Sequence, residues 1–373
     1  MINKKYLTGL LIVFSAALLY AQQVVKPAYL SGSIEEQFEN AFEHAKVGGR
    51  FWIGYSIAGN GDQGVFIGSY YNSDSGASLR DIIMNTKKYE NDNSGNRVKN
   101  KRRFYGRSFN INDRFDNGFV PDRETAVLFR YDGDAKDIND FYEIGVCNLA
   151  HNFDLDNSPL TWLGLKDNKN SVDFLFGLYK KANTLSGKKD LLGGIGVHTG
   201  QEAVTSFLVS ILNGKGESDL RKSSAIWLGL QNNNTALEAL KTAVNNDTDQ
   251  DVRKNAVYGI GFMKLPVTID ELVNIAKHNG DRDVRRSAVY ALGNKAVKKA
   301  EQALKDFIEN DPDVEIKKSA VYALANSSED AVPYLIKIAR SNKSLEVRKS
   351  AIYSLSNSDD KRALDALIEL AKN

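Results

Sequence analysis

A ten-residue phrase recurs five times in the C-terminal part of the chain and constrains the fold more than any other feature. It reads LRKSSAIWLG from Leu220, VRKNAVYGIG from Val252, VRRSAVYALG from Val284, IKKSAVYALA from Ile316 and VRKSAIYSLS from Val347. Successive starts lie 32, 32, 32 and 31 residues apart. A near-constant period of that size is the signature of stacked units, none of which buries its apolar face alone. About thirty residues hold two helices of three to four turns and two short connections, so each unit is expected to be a helical hairpin. The phrase is the second helix. First helices are expected at 201–212, 235–245, 268–278, 300–309 and 331–340, where apolar residues follow helical spacing. Residues 361–372 read as a lone first helix whose Leu364, Leu367, Ile368 and Ala371 are expected to cover the last unit.

A turn of about 100° per residue puts Val284, Ala288, Ala291 and Leu292 on one arc, which must face the core. Small Ala there lets neighbouring helices approach closely. Tyr290 then points well away from the arc and Arg286 almost opposite to it. Along the array this predicts a tyrosine row, Tyr258, Tyr290, Tyr322 and Tyr353, beside a basic row, Lys222, Lys254, Arg286, Lys318 and Lys349. Tyrosine beside lysine or arginine suits a protein or peptide partner: large contact area, little rotamer entropy lost and a hydroxyl to orient the contact. The structural alternative is that each Tyr packs on the next repeat and each cation is merely solvated. Another row, Arg221, Arg253, Arg285, Lys317 and Arg348, opposes the helix dipole in the first turn. Asp219, Asp251, Asp283, Glu315 and Glu346, two residues earlier in each copy, are expected to bridge to it and serve stability.

These repeats resemble the HEAT-repeat family, in its PBS-lyase HEAT-like form, whose second helices carry an acidic residue followed by Val-Arg-x-x-Ala-x-x-x-Leu-Gly. Asp251, Val252, Arg253, Ala256, Ile260 and Gly261 match it, as do Asp283, Val284, Arg285, Ala288, Leu292 and Gly293; Lys317, Ala325 and Ser356 depart from it. The resemblance covers roughly residues 170–373 and implies a mainly α fold, a right-handed HEAT-like α-solenoid of about five to six hairpins. It also implies that second helices line the concave side, with the tyrosine and basic rows facing the groove. The iron-dependent deoxyhypusine hydroxylases resemble this array in repeat form but need His-Glu pairs, which these repeats lack, so the resemblance carries no activity.

At the N-terminus Lys4 and Lys5 precede an apolar run over 10–20 that ends at the small Ala21. That is the pattern of a secretory signal peptide, residues 1–21, too short for a membrane span, and no transmembrane segment is expected after its cleavage. Removing it takes two lysines, leaving 49−2 = 47 basic against 47 acidic residues and no net charge. A neutral exported chain has no long-range attraction to phosphate, so no nucleic-acid partner is expected. Cys147 is the single cysteine, so no internal disulfide forms, and stability must come from packing.

Residues 22–168 read as a small α+β domain. Ser33 with Glu36 is a capping box opening a helix over 34–46. Residues 51–57 and 64–71 are expected to pair as a hairpin through Asn60-Gly61, and residues 126–131 and 140–147 as another through Asp132-Gly133. The polar block 85–103 is expected to be a mobile loop. Ser171 is expected to cap a helix, and residues 188–197 to form a glycine-loosened partner, the atypical first hairpin of an array spanning 169–373. Neither zinc spacing nor a dinucleotide loop is present, so no metal and no cofactor are expected.

The reading that results is an exported bacterial, periplasmic or secreted scaffold, without catalytic residues, that holds a protein or peptide through Tyr258, Tyr290, Tyr322, Tyr353, Lys254, Arg286, Lys318 and Lys349. One alternative is a hydrolase or other enzyme in the N-terminal domain, with Cys147, His151 and Asp154 as its chemistry. Another is a glycan or adhesion module using exposed aromatics near Trp52 and Tyr55.

Overall fold

The protein is represented by a computed structural model that describes residues 24–27, 31–46, 49–59, 78–84, 124–151, 153, 155–156, 158–295, 297–327 and 331–372. The expected signal peptide, strand 64–71, loop 85–103 and Asp154 lie outside the described residues. The chain divides into two compact units, Met1–Val204 and Thr205–Asn373.

The first unit is built on a sheet of β1 (Val24–Val25), β2 (Phe51–Ala58), β3 (Glu124–Tyr131), β4 (Glu143–Asn148) and β5 (Leu160–Lys166), in the order β1-β5-β2-β3-β4. The β3–β4 hairpin forms as the sequence predicts. Residues 64–71, expected to pair with β2, lie outside the described residues; within them β3 pairs antiparallel along one edge of β2 and β5 parallel along the other.

Both faces of the sheet are covered. Helix α1 (Ile34–Ala45), started by the predicted Ser33–Glu36 box, lays Phe38 and Phe42 on the face carrying Phe51, Tyr55, Phe129 and Tyr131. The short helix α2 (Leu79–Met84) joins the opposite face, where Trp52, Leu128, Cys147, Leu160 and Trp162 form one cluster. Helices α3 (Asn168–Lys181) and α4 (Leu185–Gly196), predicted to open the array, belong to the first unit, and α4 packs on β4.

Asp167, and not Ser171, caps α3 by accepting from Asn170 N–H at 3.0 Å. Ser171 is buried instead between the Tyr55 hydroxyl and His198 Nε2, each 2.8 Å from its Oγ, while His198 Nδ1 lies 3.2 Å from the Ile195 carbonyl. The carbonyl accepts only, so Nδ1 carries the proton, Nε2 accepts from Ser171, and Ser171 accepts from Tyr55. Burial pushes the His198 pKa down to about 4, which suits this neutral imidazole.

Helix α5 (Glu202–Leu212) runs across the division. The second unit continues with α6 (Ser218–Gln231), α7 (Asn234–Asn246), α8 (Gln250–Phe262), α9 (Val267–His278), α10 (Arg282–Gly293), α11 (Lys298–Asn310), α12 (Val314–Ser327), α13 (Ala331–Ser341), α14 (Leu345–Ser356) and α15 (Lys361–Lys372). Hairpins pair α7 with α8, α9 with α10, α11 with α12 and α13 with α14. Successive second helices, α6, α8, α10, α12 and α14, also pack along one another, whereas successive first helices scarcely meet. A stack drawn tight along one layer and loose along the other curves with the tight layer inside.

Small residues permit this. A Cβ at Gly229 would run into the Gly259 backbone, and one at Gly293 would lie 2.8 Å from the Ala323 carbonyl oxygen. The lone helix α15 departs from expectation. It buries Ala363 and Ala366, while Leu364, Ile368 and Ala371, predicted to cover the last unit, are exposed.

Candidate partner-binding surface

The rows of the second helices are only as regular as the helix starts that set them. The first helices α7, α9, α11 and α13 are followed by Asp247, Asn279, Asp311 and Asn342, whose side-chain oxygens accept the N–H two residues on, at 2.8 to 2.9 Å. The residue so held, Asp249, Asp281, Asp313 or Ser344, accepts from the first turn of the second helix. Such side-chain turns and caps satisfy N–H groups that the helix leaves unpaired, and they fix where it begins. The signal stands in the sequence as D-x-D, N-x-D, D-x-D and N-x-S ahead of four phrases, apart from the apolar periodicity that marks the helices themselves.

The acidic and basic ladder is wired differently from the prediction. Arg221 bridges Asp247 at 2.8 Å, Arg253 bridges Asp281 at 2.7 Å and Arg285 bridges Asp311 at 2.8 Å. Each acid follows the next first helix, so each bridge joins consecutive repeats. Hydrogen bonds from Arg253 and Gln250 hold the Asp281 carboxyl down at about 2. Lys317 and Arg348 donate instead to the Glu309 and Asn342 carbonyls.

The acids predicted to serve this row pair with the other one: Lys222 with Asp219 at 2.6 Å, Lys254 with Asp251 at 2.8 Å, Arg286 with Asp283 at 3.3 Å, and Lys318 with Glu315 and Lys349 with Glu346 at 3.0 Å. The reason is geometric. Residues three apart on a helix are neighbours on its surface, and residues two apart face different ways. All four basic residues of the candidate site therefore carry an intrahelical counter-charge.

The tyrosine row stands beside them. Tyr258, Tyr290 and Tyr322 are half-buried and Tyr353 is 61% exposed. The rings of Tyr322 and Tyr353 meet edge to face with centroids 6.1 Å apart. Each internal tyrosine thus gives part of its ring to the stack and part to solvent, while Tyr353 has no following second helix among the described residues. A depression of about 220 Å³ is lined by Tyr322 and Tyr353 together with Asn326 and Asn357. Aromatic walls and amide edges in a shallow site can hold an apolar side chain and hydrogen-bond the backbone that bears it.

The alternative sites fare differently. Cys147 is buried, and that burial pushes its thiol pKa far up, so it is held as a thiol. A nucleophilic cysteine needs the reverse. A depression of about 350 Å³ on the same face of the sheet is bounded by Ser56, Arg80, Glu124 and Trp162, and neither Cys147 nor His151 lines it. Trp52 and Tyr55, expected to be exposed, are buried because β2 is central and covered on both faces. Trp52 spends its indole N–H on the Leu155 carbonyl at 3.1 Å. No group of three or more potential metal ligands occurs among the described residues. Among them, too, no helix is long and apolar enough to cross a membrane.

Residues 205–293 and 300–373 match the family of HEAT repeats. The complex of CpcE and CpcF of phycocyanin lyase from Nostoc sp. PCC7120 aligns with 21% identity and a TM-score of 0.32, over 41% of this chain and 99% of that one. Human deoxyhypusine hydroxylase, solved with glycerol, aligns with 17% identity and a TM-score of 0.25, over 55% of this chain and 79% of that one. No curated protein matches this chain.

Proposed function

Starting from a second unit that is a HEAT-repeat array, we propose that the protein is a non-enzymatic binding scaffold whose second-helix layer holds a protein or peptide in the bacterial envelope. The observation that carries this reading is the tyrosine row. Tyr258, Tyr290, Tyr322 and Tyr353 recur at one register of four stacked helices and keep ring surface open to water. Four phenols in line on a rigid stack present contact area at low entropic cost, the property of residues that dominate binding energy.

Lys254, Arg286, Lys318 and Lys349 enter this surface as ion pairs, so their charge is locally cancelled. The partner is accordingly an extended or helical peptide segment with apolar side chains for the gaps between rings, and not a polyanion. No cofactor, metal or nucleic acid has a part in it. Export rests on the N-terminal pattern over 1–21; intact mass after expression in a Gram-negative host would find the chain beginning at Gln22.

The binding test uses a displayed random-peptide library selected against the mature chain, with the affinity of a selected peptide measured by fluorescence anisotropy. Tyr290→Ala and Tyr322→Ala should each weaken that peptide about tenfold or more, the effect of losing a binding hot spot, with far-ultraviolet circular dichroism unchanged. Equal affinity in both variants would remove the row from the binding site.

A further inference from the structure

The seam between α12 and α14 differs from the three seams before it. In those, the tenth residue of one phrase lies against the eighth residue of the next, Gly229 against Gly259, Gly261 against Ala291 and Gly293 against Ala323. A Cβ added at Gly229, Gly261 or Gly293 would come closer than 3.0 Å to the facing residue. The corresponding pair in the fourth seam is Ala325 and Ser354, so a methyl group stands where the others have bare backbone, opposite a hydroxymethyl group. Two such side chains do not fit at the earlier spacing, and the seam is held wider here. The depression of about 220 Å³ is lined by both of them.

Ser354 is only 9% exposed, and its hydroxyl oxygen is buried with no hydrogen-bond partner among the described residues. A buried hydroxyl left unpaired destabilises a fold, and the alanine found at this phrase position at 291 and 323 would avoid that cost. The rest of the lining is neutral: the Tyr322 and Tyr353 rings, the aliphatic Val332 and Leu335, and small or amide side chains. A charged guest would lose its hydration there and gain no counter-charge. A cavity of about 150 Å³ holds benzene, so this one has room for a ring with a substituent, and aromatic walls favour an aromatic guest.

We propose that the depression receives one tyrosine side chain of the bound peptide, with the phenol hydroxyl bonded to Ser354. This rests on the reading of the second-helix layer as a peptide-binding surface and names the side chain that one of its gaps selects. Phenylalanine would fill the same space and leave the serine hydroxyl unpaired, and a site with such a group discriminates against the analogue that cannot pair with it.

Ligand-observed NMR on the full chain with N-acetyl-tyrosinamide and N-acetyl-phenylalaninamide tests this. The wild type should bind the tyrosine probe about fivefold or more tighter, the effect of one neutral hydrogen bond. Ser354→Ala should abolish that preference, leave the phenylalanine probe unaffected and raise the melting temperature. Equal affinities in the wild type, no binding of either probe at millimolar concentration, or a preference that survives Ser354→Ala overturns the inference. A lower melting temperature for Ser354→Ala would show that the hydroxyl serves the fold, and overturns it too. Tyr290 does not line the depression, so Tyr290→Ala should change neither probe. A selected peptide that depends on Tyr290 while the probes bind alike would remove this pocket and leave the tyrosine row standing, and the opposite pair of results would remove the row and leave the pocket.

Discussion

At the residue scale, the chain separates groups that hold the fold from groups that are free to act by how completely each is satisfied. Tyr55, Ser171 and His198 form a buried relay in which every polar atom has a partner and the imidazole is neutral. This makes a prediction with a definite sign. A histidine whose pKa is about 6.5 unfolded and about 4 folded binds more protons in the unfolded chain between those values. The stability it protects is present above pH 6.5 and drains away as pH falls toward 4, with a slope of roughly 1.4 kcal/mol per pH unit in the middle of that window. His198→Gln should unfold at lower temperature at pH 7 and lose that part of the pH dependence. An unchanged slope in thermal unfolding would contradict a neutral, buried His198. None of the relay was read from sequence, because Tyr55, Ser171 and His198 are far apart in the chain and nothing local marks them as neighbours.

At the element scale, the repeats were legible and the sheet was not. Second helices announce themselves because phrase, period and core arc agree, and the Ser33–Glu36 box is a purely local signal. The neighbours of β2 are set by long-range pairing: β5, more than a hundred residues later, lies along one of its edges, and no local signal marks it as the partner. The same blindness made Trp52 and Tyr55 look available. Within the array, helix spacing is set by contacts such as Gly229 against the Gly259 backbone. Alanine at 229 would gain about 1 kcal/mol of helix propensity, but backbone cannot swing aside as a side chain can, and overpacking costs about 1–3 kcal/mol. The steric term should win, and Gly229→Ala should lower the melting temperature by about 2–6 °C. Gly280→Ala, with no atom within 4 Å of the new Cβ, is the control and should not lower it. Equal melting of both variants would mean that α6 and α8 are not held at this distance.

At the scale of the whole molecule, the two units divide the labour differently from the sequence expectation. The helical pair α3 and α4 completes the sheet unit, while the array proper is a run of hairpins tied to one another by Arg221–Asp247, Arg253–Asp281 and Arg285–Asp311. Those bridges hold the register, the i,i+3 pairs cancel the basic row, and the tyrosines remain as the repeated feature with surface to offer. The candidate row was legible from the 32-residue spacing in the sequence. Its charge state was not, because either set of cations could have claimed the acids until helix geometry decided. The most direct test is photo-crosslinking of a library-selected peptide carrying one benzophenone, mapped by mass spectrometry on the intact chain. The account predicts adducts in α8, α10, α12 and α14 within reach of Tyr258, Tyr290, Tyr322 and Tyr353. Adducts confined to residues 22–204, or to the first helices α7, α9, α11 and α13, would contradict it.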